Sequence, residues 1–200
     1  MKQVVLATKN AGKVRELRAA LTHLPIELLS LADVRAMPEP VEDGTTFTEN
    51  ARIKARFYAE QTGCACIADD SGLEVAVLGN APGVHSARFA GVHGDDAANN
   101  RKLIEELRAH GTDRSAADYR CELVFLDTDG HEITASGRVD GEVRTEARGT
   151  NGFGYDPYFY VSGAPDARTM AELTLEEKQA ISHRGKAVRA FTKALEEYLK

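Results

Sequence analysis

The stretch "CACIADDSGLEV", Cys64 to Val75, decides how the fold is read. An apolar run from Cys64 to Ala68 ends in two adjacent carboxylates, Asp69 and Asp70, followed by Ser71 and Gly72. "CACIA" and the following "LEVAVL" read as strands, and DDSG reads as the turn between them. That places both aspartates where a buried strand reaches the surface. Two roles are open to them there: an Asx-type turn, or oxygen ligation of a cation.

Working outward, the rest of the chain alternates strands with helices. "QVVLA" (Gln3 to Ala7) is a continuous apolar run, as in a strand covered on both faces. Val14, Leu17, Leu21 and Leu24 then recur at helical spacing. "IELLSL" predicts a second strand, and the Pro- and acid-rich "MPEPVEDGTT" an exposed loop. Thr46-x-x-Glu49 is a capping box opening a helix whose apolar face is Phe47, Ala51, Ala55, Tyr58 and Ala59. "GNAPGVHSARFAGVHGDD" is long and irregular, and Asp96 after it is placed to cap a helix carrying Leu103, Ile104 and Leu107. "YRCELVFLDTDGHEITASGRV" reads as a hairpin turning at Asp129-Gly130, and "GEVRTEA" as one more strand. "GTNGFGYDPYFYV" is a glycine-punctuated loop entering an aromatic strand. Thr174-x-x-Glu177 opens a short helix, and after Ser182 a last helix buries Val188, Phe191, Leu195 and Leu199. The class is α/β, with a sheet that is mixed because of the hairpin, flanked by helices. No repeat or linker divides the chain, so 1–200 reads as a single domain.

Bulk properties narrow the partners. Of the 200 residues, 42% are hydrophobic and 28% charged, ordinary for a water-soluble domain. The net charge of −6 argues against a broad phosphate-tracking surface for nucleic acid. No apolar run approaches the roughly 20 residues of a membrane helix. The N-terminus reads as a first strand rather than a signal peptide. Three cysteines, Cys64, Cys66 and Cys121, fit neither a disulfide frame nor a common zinc spacing, so reduced thiols and a cytoplasmic location are expected.

The loops carry the chemistry. In "ATKNAGKV" (Ala7 to Val14) a strand ends and a helix begins near Gly12, and free N–H groups at a helix start suit phosphate. The P-loop pattern is nearly met, but Ala7 replaces its first glycine and Val14 its Ser/Thr. Lys13 opposes the helix dipole. Alone it reads equally well as a solvated lysine or as one reaching an anion beside Thr8 and Asn10. "ISHRGKA" repeats that oddity, with His183, Arg184 and Lys186 in a first turn, where exposed basic residues are the alternative to ligand contacts. In "GTNGFGYDP", Gly152 and Gly154 permit close backbone approach, and Phe153 and Tyr155 suit either base stacking or core filling. Glu42, Asp69 and Asp70 lie on predicted loops, and magnesium takes one or two such carboxylates plus substrate phosphates. Lys54, four residues beyond Asn50, is a second phosphate lysine or an ordinary surface one.

Six stretches, "ATKNAGKVREL", "EDGTTFTENARIKA", "IADDSGLEV", "APGVHSARFAG", "GTNGFGYDPYF" and "AELTLEEKQAISHRGKA", resemble the inosine triphosphate pyrophosphatase family, also called Ham1- or RdgB-type pyrophosphatases. The match runs nearly end to end, with Lys9 a small departure from the residue usual there. The resemblance implies hydrolysis of non-standard purine nucleoside triphosphates (ITP, dITP, XTP) to the monophosphate and pyrophosphate. It also implies a two-lobed mixed α/β fold with a central substrate cleft, a homodimer, and Mg2+ as cofactor. Carried onto this chain, it makes Asp70 the catalytic carboxylate, with Asp70 and Glu42 as metal ligands. Thr8, Asn10 and Lys13, with Lys54 and Ser71, become phosphate-side contacts, and Lys9, Ala11 and Gly12 further substrate-binding residues. Phe153, Gly154, Tyr155, Asp156, Lys178, His183 and Arg184 become nucleoside-side contacts. Asp70 is then expected to orient or deprotonate the attacking water, with Asp69 doing turn work or assisting. His183 and Arg184 are expected to donate to a 6-keto oxygen, which adenine lacks. A Maf-like pyrophosphatase for pyrimidine nucleotides and a nucleotide-binding regulator are the rival readings; the SHR and FGYD stretches and the full set of acids and lysines weigh against them.

Overall fold

The computed structural model describes residues 1–163 and 167–200. The strands are β1 (Lys2–Leu6), β2 (Ile26–Ser30), β3 (Ala65–Val75), β4 (Arg114–Leu126), β5 (Glu132–Arg144) and β6 (Phe159–Val161). The helices are α1 (Ala11–Leu21), α2 (Phe47–Thr62), α3 (Asp96–Ala109), α4 (Leu175–Ile181) and α5 (His183–Tyr198). One six-stranded sheet runs in the order β2-β1-β3-β4-β5-β6. It is mixed, as expected: β1 pairs parallel with β2 and β3, and β5 pairs antiparallel with β6.

Contacts divide the described chain into two compact units. The first holds Met1–Asp70, Cys121–Gly137 and Lys186–Lys200; the second holds Ser71–Arg120 and Arg138–Gly185. In the first unit, side chains alternate across the strands. Val4, Leu6, Ala65 and Ile67 bury against Leu17 and Leu21 of α1 and against Val188, Phe191 and Leu195 of α5. Val5, Ala7, Cys66 and Ala68 bury on the other face, against Ala51, Ala55 and Tyr58 of α2. Both faces are covered, which is why these strands read as unbroken apolar runs. In the second unit, Leu73 and Val75 of β3 join Leu103 and Leu107 of α3 and the inward residues of β4, β5 and β6 in a separate core.

The stretch that opened the reading is not a turn. β3 continues through Asp69, Asp70, Ser71 and Gly72 without a break, and "LEVAVL" ends as strand at Val75, where Ala76–Leu78 form a 3-10 turn. The turn propensity of DDSG is overridden by tertiary context, because both carboxylates meet lysines inside the fold. Three smaller differences follow. Asp95 rather than Asp96 caps α3, its carboxylate accepting from Ala98 N at 2.9 Å. Of "GEVRTEA", 141–144 are the far end of β5 rather than a separate strand, and 145–147 lie beyond it. Leu199 lies just past α5, half-buried against the same core. Both expected capping boxes form, and a third at Thr169 and Glu172 joins them. Among the described residues, no helix is long and apolar enough to cross a membrane.

Candidate active site

The first unit gathers the predicted phosphate and metal residues at the carboxyl ends of parallel strands. β1 stands between β2 and β3, and the chain leaves β1 through α1 to reach β2. A parallel sheet opens beside such a reversal at its carboxyl edge, where ligands of open α/β sheets bind. Thr8 to Asn10 follow β1 there, and Asp69 and Asp70 extend β3 past its last pairing with β1, Leu6 opposite Ile67.

Strand alternation sends the two aspartates to opposite faces. Asp69 continues the Ala65 and Ile67 face and meets α1: its Oδ2 lies 3.1 Å from Lys13 Nζ. Asp70 continues the Cys66 and Ala68 face and meets α2, where Lys54 Nζ donates to its Oδ1 at 2.9 Å. Lys54 also reaches Glu42 Oε2 at 3.0 Å. The loop carrying Glu42 is tied down nearby: Gly44 N donates to Asn50 Oδ1 at 2.9 Å. A Cβ on Gly44 would stand 2.6 Å from that same oxygen, so only glycine allows the approach.

Burial makes these charges strongly interacting. Asp69 is 1% exposed, Asp70 7% and Lys54 9%. Burial pushes the Asp70 carboxyl above its ordinary range, and Lys54 and Lys13 only partly oppose it. For Lys54 burial works downward, but Asp70, Glu42 and Asp69 outweigh it and hold the ammonium charged well above its usual value. Among the described residues, Asp70 Oδ2 is buried with no hydrogen-bond partner. That oxygen and Glu42 are hard donors of the kind Mg2+ takes from a protein, leaving its other positions to phosphates and water. Among the described residues no group of three or more His, Cys, Asp or Glu is placed to hold a metal ion.

The loop before α1 is built rather than loose. Asn10 is the helix N-cap: its Oδ1 accepts from Lys13 N at 3.1 Å, while Thr8 Oγ1 accepts from Asn10 N at 3.2 Å. Ala11 and Gly12 form the first turn. Lys9 departs from the group. It is exposed and pairs with Glu39 at 2.5 Å instead of facing the carboxylates.

The second unit gathers the nucleoside-side residues. Asp156 Oδ2 accepts from Lys178 Nζ at 2.8 Å and from Phe153 N at 2.9 Å. Gly152 has a φ of +80°, and a Cβ there would stand 2.1 Å from that same oxygen. Phe153 presents its ring with Lys178 Nζ 4.6 Å and the Arg184 guanidinium 5.6 Å from its centroid. Arg184 Nη2 donates to Ser71 Oγ at 2.8 Å, so Ser71 stands with the basic group expected to read the base. His183 stacks on Tyr119. Tyr155 belongs to the core: its hydroxyl donates to Ser86 O at 2.7 Å, and burial raises its pKa. Gly154 is gripped from α3, its N–H by Asp96 Oδ2 at 2.8 Å and its carbonyl by Asn100 Nδ2 at 3.0 Å.

The sequence reading missed Tyr119, Asp96 and Asn100 as parts of this cluster. Asp96 and Asn100 are four apart on one helix face, a legible spacing whose target was not. Tyr119 gave no local signal beyond a hydrophobic strand position.

Known proteins resemble this chain along nearly its full length. A Ham1 family model matches residues 4–194. A dITP/XTP pyrophosphatase of Geobacter sulfurreducens is 48% identical, covering 94% of this chain and 94% of its own. One of Syntrophobacter fumaroxidans is 46% identical, covering 98% of this chain and 83% of its own. Among solved structures, a HAM1 protein from Coxiella burnetii superposes with a TM-score of 0.87 at 41% identity, covering 98% of this chain and all of that one. With the fold, the ordered motifs and these likenesses in agreement, the chain belongs to the Ham1 family.

Proposed function

We propose that this protein hydrolyses non-standard purine nucleoside triphosphates, ITP, dITP and XTP, to the monophosphate and pyrophosphate, removing them from the nucleotide pool. Relatives at close to half identity bear the name dITP/XTP pyrophosphatase. The observation that carries the reading is the lysine-braced pair of Asp70 and Glu42, with one Asp70 oxygen buried and unpartnered among the described residues.

In this reading Lys13 and Lys54 hold phosphate oxygens and offset the charge that grows there as the anhydride breaks. Asp70 orients a water and takes its proton as that water attacks the α-phosphorus, and the bond to the β-phosphate opens to release pyrophosphate whole. Asp70 and Glu42 would hold Mg2+, which would supply charge neutralisation for the phosphates. In the second unit Phe153 offers a ring face to the base, and Asp156 fixes Lys178 beside it. His183 and Arg184 donate to the 6-keto oxygen of hypoxanthine or xanthine. Facing adenine they would meet an amino donor instead, and sites built on such hydrogen bonds discriminate by up to roughly 10⁴–10⁵. We extend the reading to a cytoplasmic homodimer, as in the family the chain resembles; light scattering tests the dimer.

The deciding experiment incubates the protein and magnesium with ITP, dITP, XTP, ATP, GTP and UTP and identifies the products. Monophosphate and pyrophosphate from ITP, dITP and XTP, with little from ATP, is the expected pattern. Orthophosphate with a diphosphate would refute attack at the α-phosphorus. Turnover of UTP without ITP would refute the purine assignment.

A further inference from the structure

His183 is the first residue of α5 and is only 4% exposed. Its imidazole lies nearly parallel to the phenol ring of Tyr119, with centroids 4.7 Å and planes 11° apart. Tyr119 sits on β4 and is braced in turn by Phe159 of β6, at 4.6 Å and a 46° tilt. An imidazole N–H points along the plane of its ring, so the orientation of that plane decides which acceptor it can serve. His183 opens its helix and has no preceding helical turn beneath it to restrict its rotamers, unlike a residue in a helix interior. The parallel phenol ring is placed to supply such a restriction. Arg184 beside it is held by a different device, the hydrogen bond to Ser71.

We propose that Tyr119 is a positioning residue for base selection, its ring fixing the plane of the His183 imidazole so that an N–H meets the 6-keto oxygen of the substrate base. The inference rests on the base-reading role given to His183 above, and Tyr119 acts through His183 rather than on the substrate. The ring face does the positioning, not the hydroxyl, so phenylalanine serves equally well. Stacked aromatic pairs contribute enough to bias an orientation by roughly 2- to 10-fold, which is the change in discrimination expected on losing the ring.

The test measures kcat and KM for ITP and for ATP, with thermal melting, for wild type, Tyr119→Phe, Tyr119→Leu, Phe159→Leu and His183→Ala. Tyr119→Leu should lower the ITP-to-ATP ratio of kcat/KM by roughly 2- to 10-fold, and Tyr119→Phe should restore it. Phe159→Leu thins the packing behind Tyr119 but leaves the ring that faces His183 in place, and should destabilise the fold while largely keeping the ratio. An equal fall in Phe159→Leu, or an unchanged ratio in Tyr119→Leu, overturns the positioning role. An unchanged ratio in His183→Ala overturns the base-reading assignment and this inference with it; a ratio lost in His183→Ala but kept in Tyr119→Leu overturns this inference alone. NMR of the free protein gives a readout that needs neither turnover nor a folded leucine variant. The His183 ring protons should be displaced upfield by the facing ring in wild type and in Tyr119→Phe, and undisplaced protons in wild type overturn the proposal.

Discussion

Replacing Gly185 by alanine separates two opposite expectations. In a helix interior the exchange is favourable by about 0.8–1.0 kcal/mol. In this fold a Cβ on Gly185 would stand 1.9 Å from the Gln179 carbonyl oxygen and 2.7 Å from its carbonyl carbon. Ordinary contact begins at 3.4 Å, so the oxygen and the added methyl are about 1.5 Å too close. Both atoms are backbone of α4, and no side-chain rotation relieves the clash. Either the two helices part or the first turn of α5 shifts. Overpacking costs about 1–3 kcal/mol, and a backbone obstacle places this case toward the upper end. Less the propensity gain, the net loss is about 1–2 kcal/mol, with a melting temperature lower by about 2–8 °C for a chain of this size. That same turn carries His183 and Arg184 and is capped by Ser182, whose Oγ accepts from Gly185 N at 3.0 Å. A misplacement of about 1 Å can cost roughly 10²-fold, so kcat/KM for ITP should fall by about that factor, and ATP turnover by less. Pyrophosphate release with each nucleotide and a thermal melt measure both effects. An alanine variant that melts at or above wild type and keeps its kcat/KM for ITP would refute the close helix approach and the positional role of the turn.

Two further outcomes follow from named contacts. Asp70→Asn should nearly abolish hydrolysis while the fold survives, because it removes the proposed proton acceptor and proposed metal-binding charge; Asp69→Asn should cost less, acting mainly through the released Lys13, and the reverse ranking in the same pyrophosphate assay would exchange their roles. Tyr198→Phe probes the hairpin end: burial alone would raise Asp127, but Lys2, the Tyr198 hydroxyl at 2.6 Å and the Thr128 N–H together hold it below the usual carboxylate range. A lowered folded pKa gives stability that is present above the ordinary value and lost as pH falls through the folded one. Losing the hydroxyl should therefore move the acid-unfolding midpoint, followed by circular dichroism, to higher pH, and an unchanged midpoint would show that the hydroxyl contributes nothing there.

Period-2 and period-3.6 patterning made most of the fold legible, because the two-sided burial of β1 and β3 and the stripe on α2 are properties of residue spacing. What stayed hidden depends on partners remote in sequence. DDSG has turn composition, and nothing local announces that Lys13 and Lys54 receive its two carboxylates on opposite faces. Had the segment been read as strand, alternation from Cys66 and Ile67 would have assigned Asp70 to the α2 face and Asp69 to the α1 face. The glycine loop was legible as a place of close approach. That Gly152 yields to the carboxylate of Asp156, and that Tyr155 turns into the core, are facts of packing which the motif does not carry.

The apparent misplacement of Lys13 in a first helical turn is resolved by the same geometry. A cation there opposes the helix dipole at a cost of about 0.3–1 kcal/mol, and the buried Asp69 carboxylate 3.1 Å away offsets it. Lys13 is thus already neutralised before any phosphate arrives. Taken together, two ammonium groups and the three carboxylates of Asp69, Asp70 and Glu42 leave the cluster one negative charge in excess. A triphosphate is itself strongly anionic, so lysines committed to carboxylates are insufficient to receive it. In the proposed function Asp70 and Glu42 would hold a divalent cation, whose charge would reverse the sign of the cluster and free both lysines to share their charge with phosphate. The buried ion pairs therefore leave a small negative excess, and the magnesium proposed above would fit that count of charges as well as the identity of the donors.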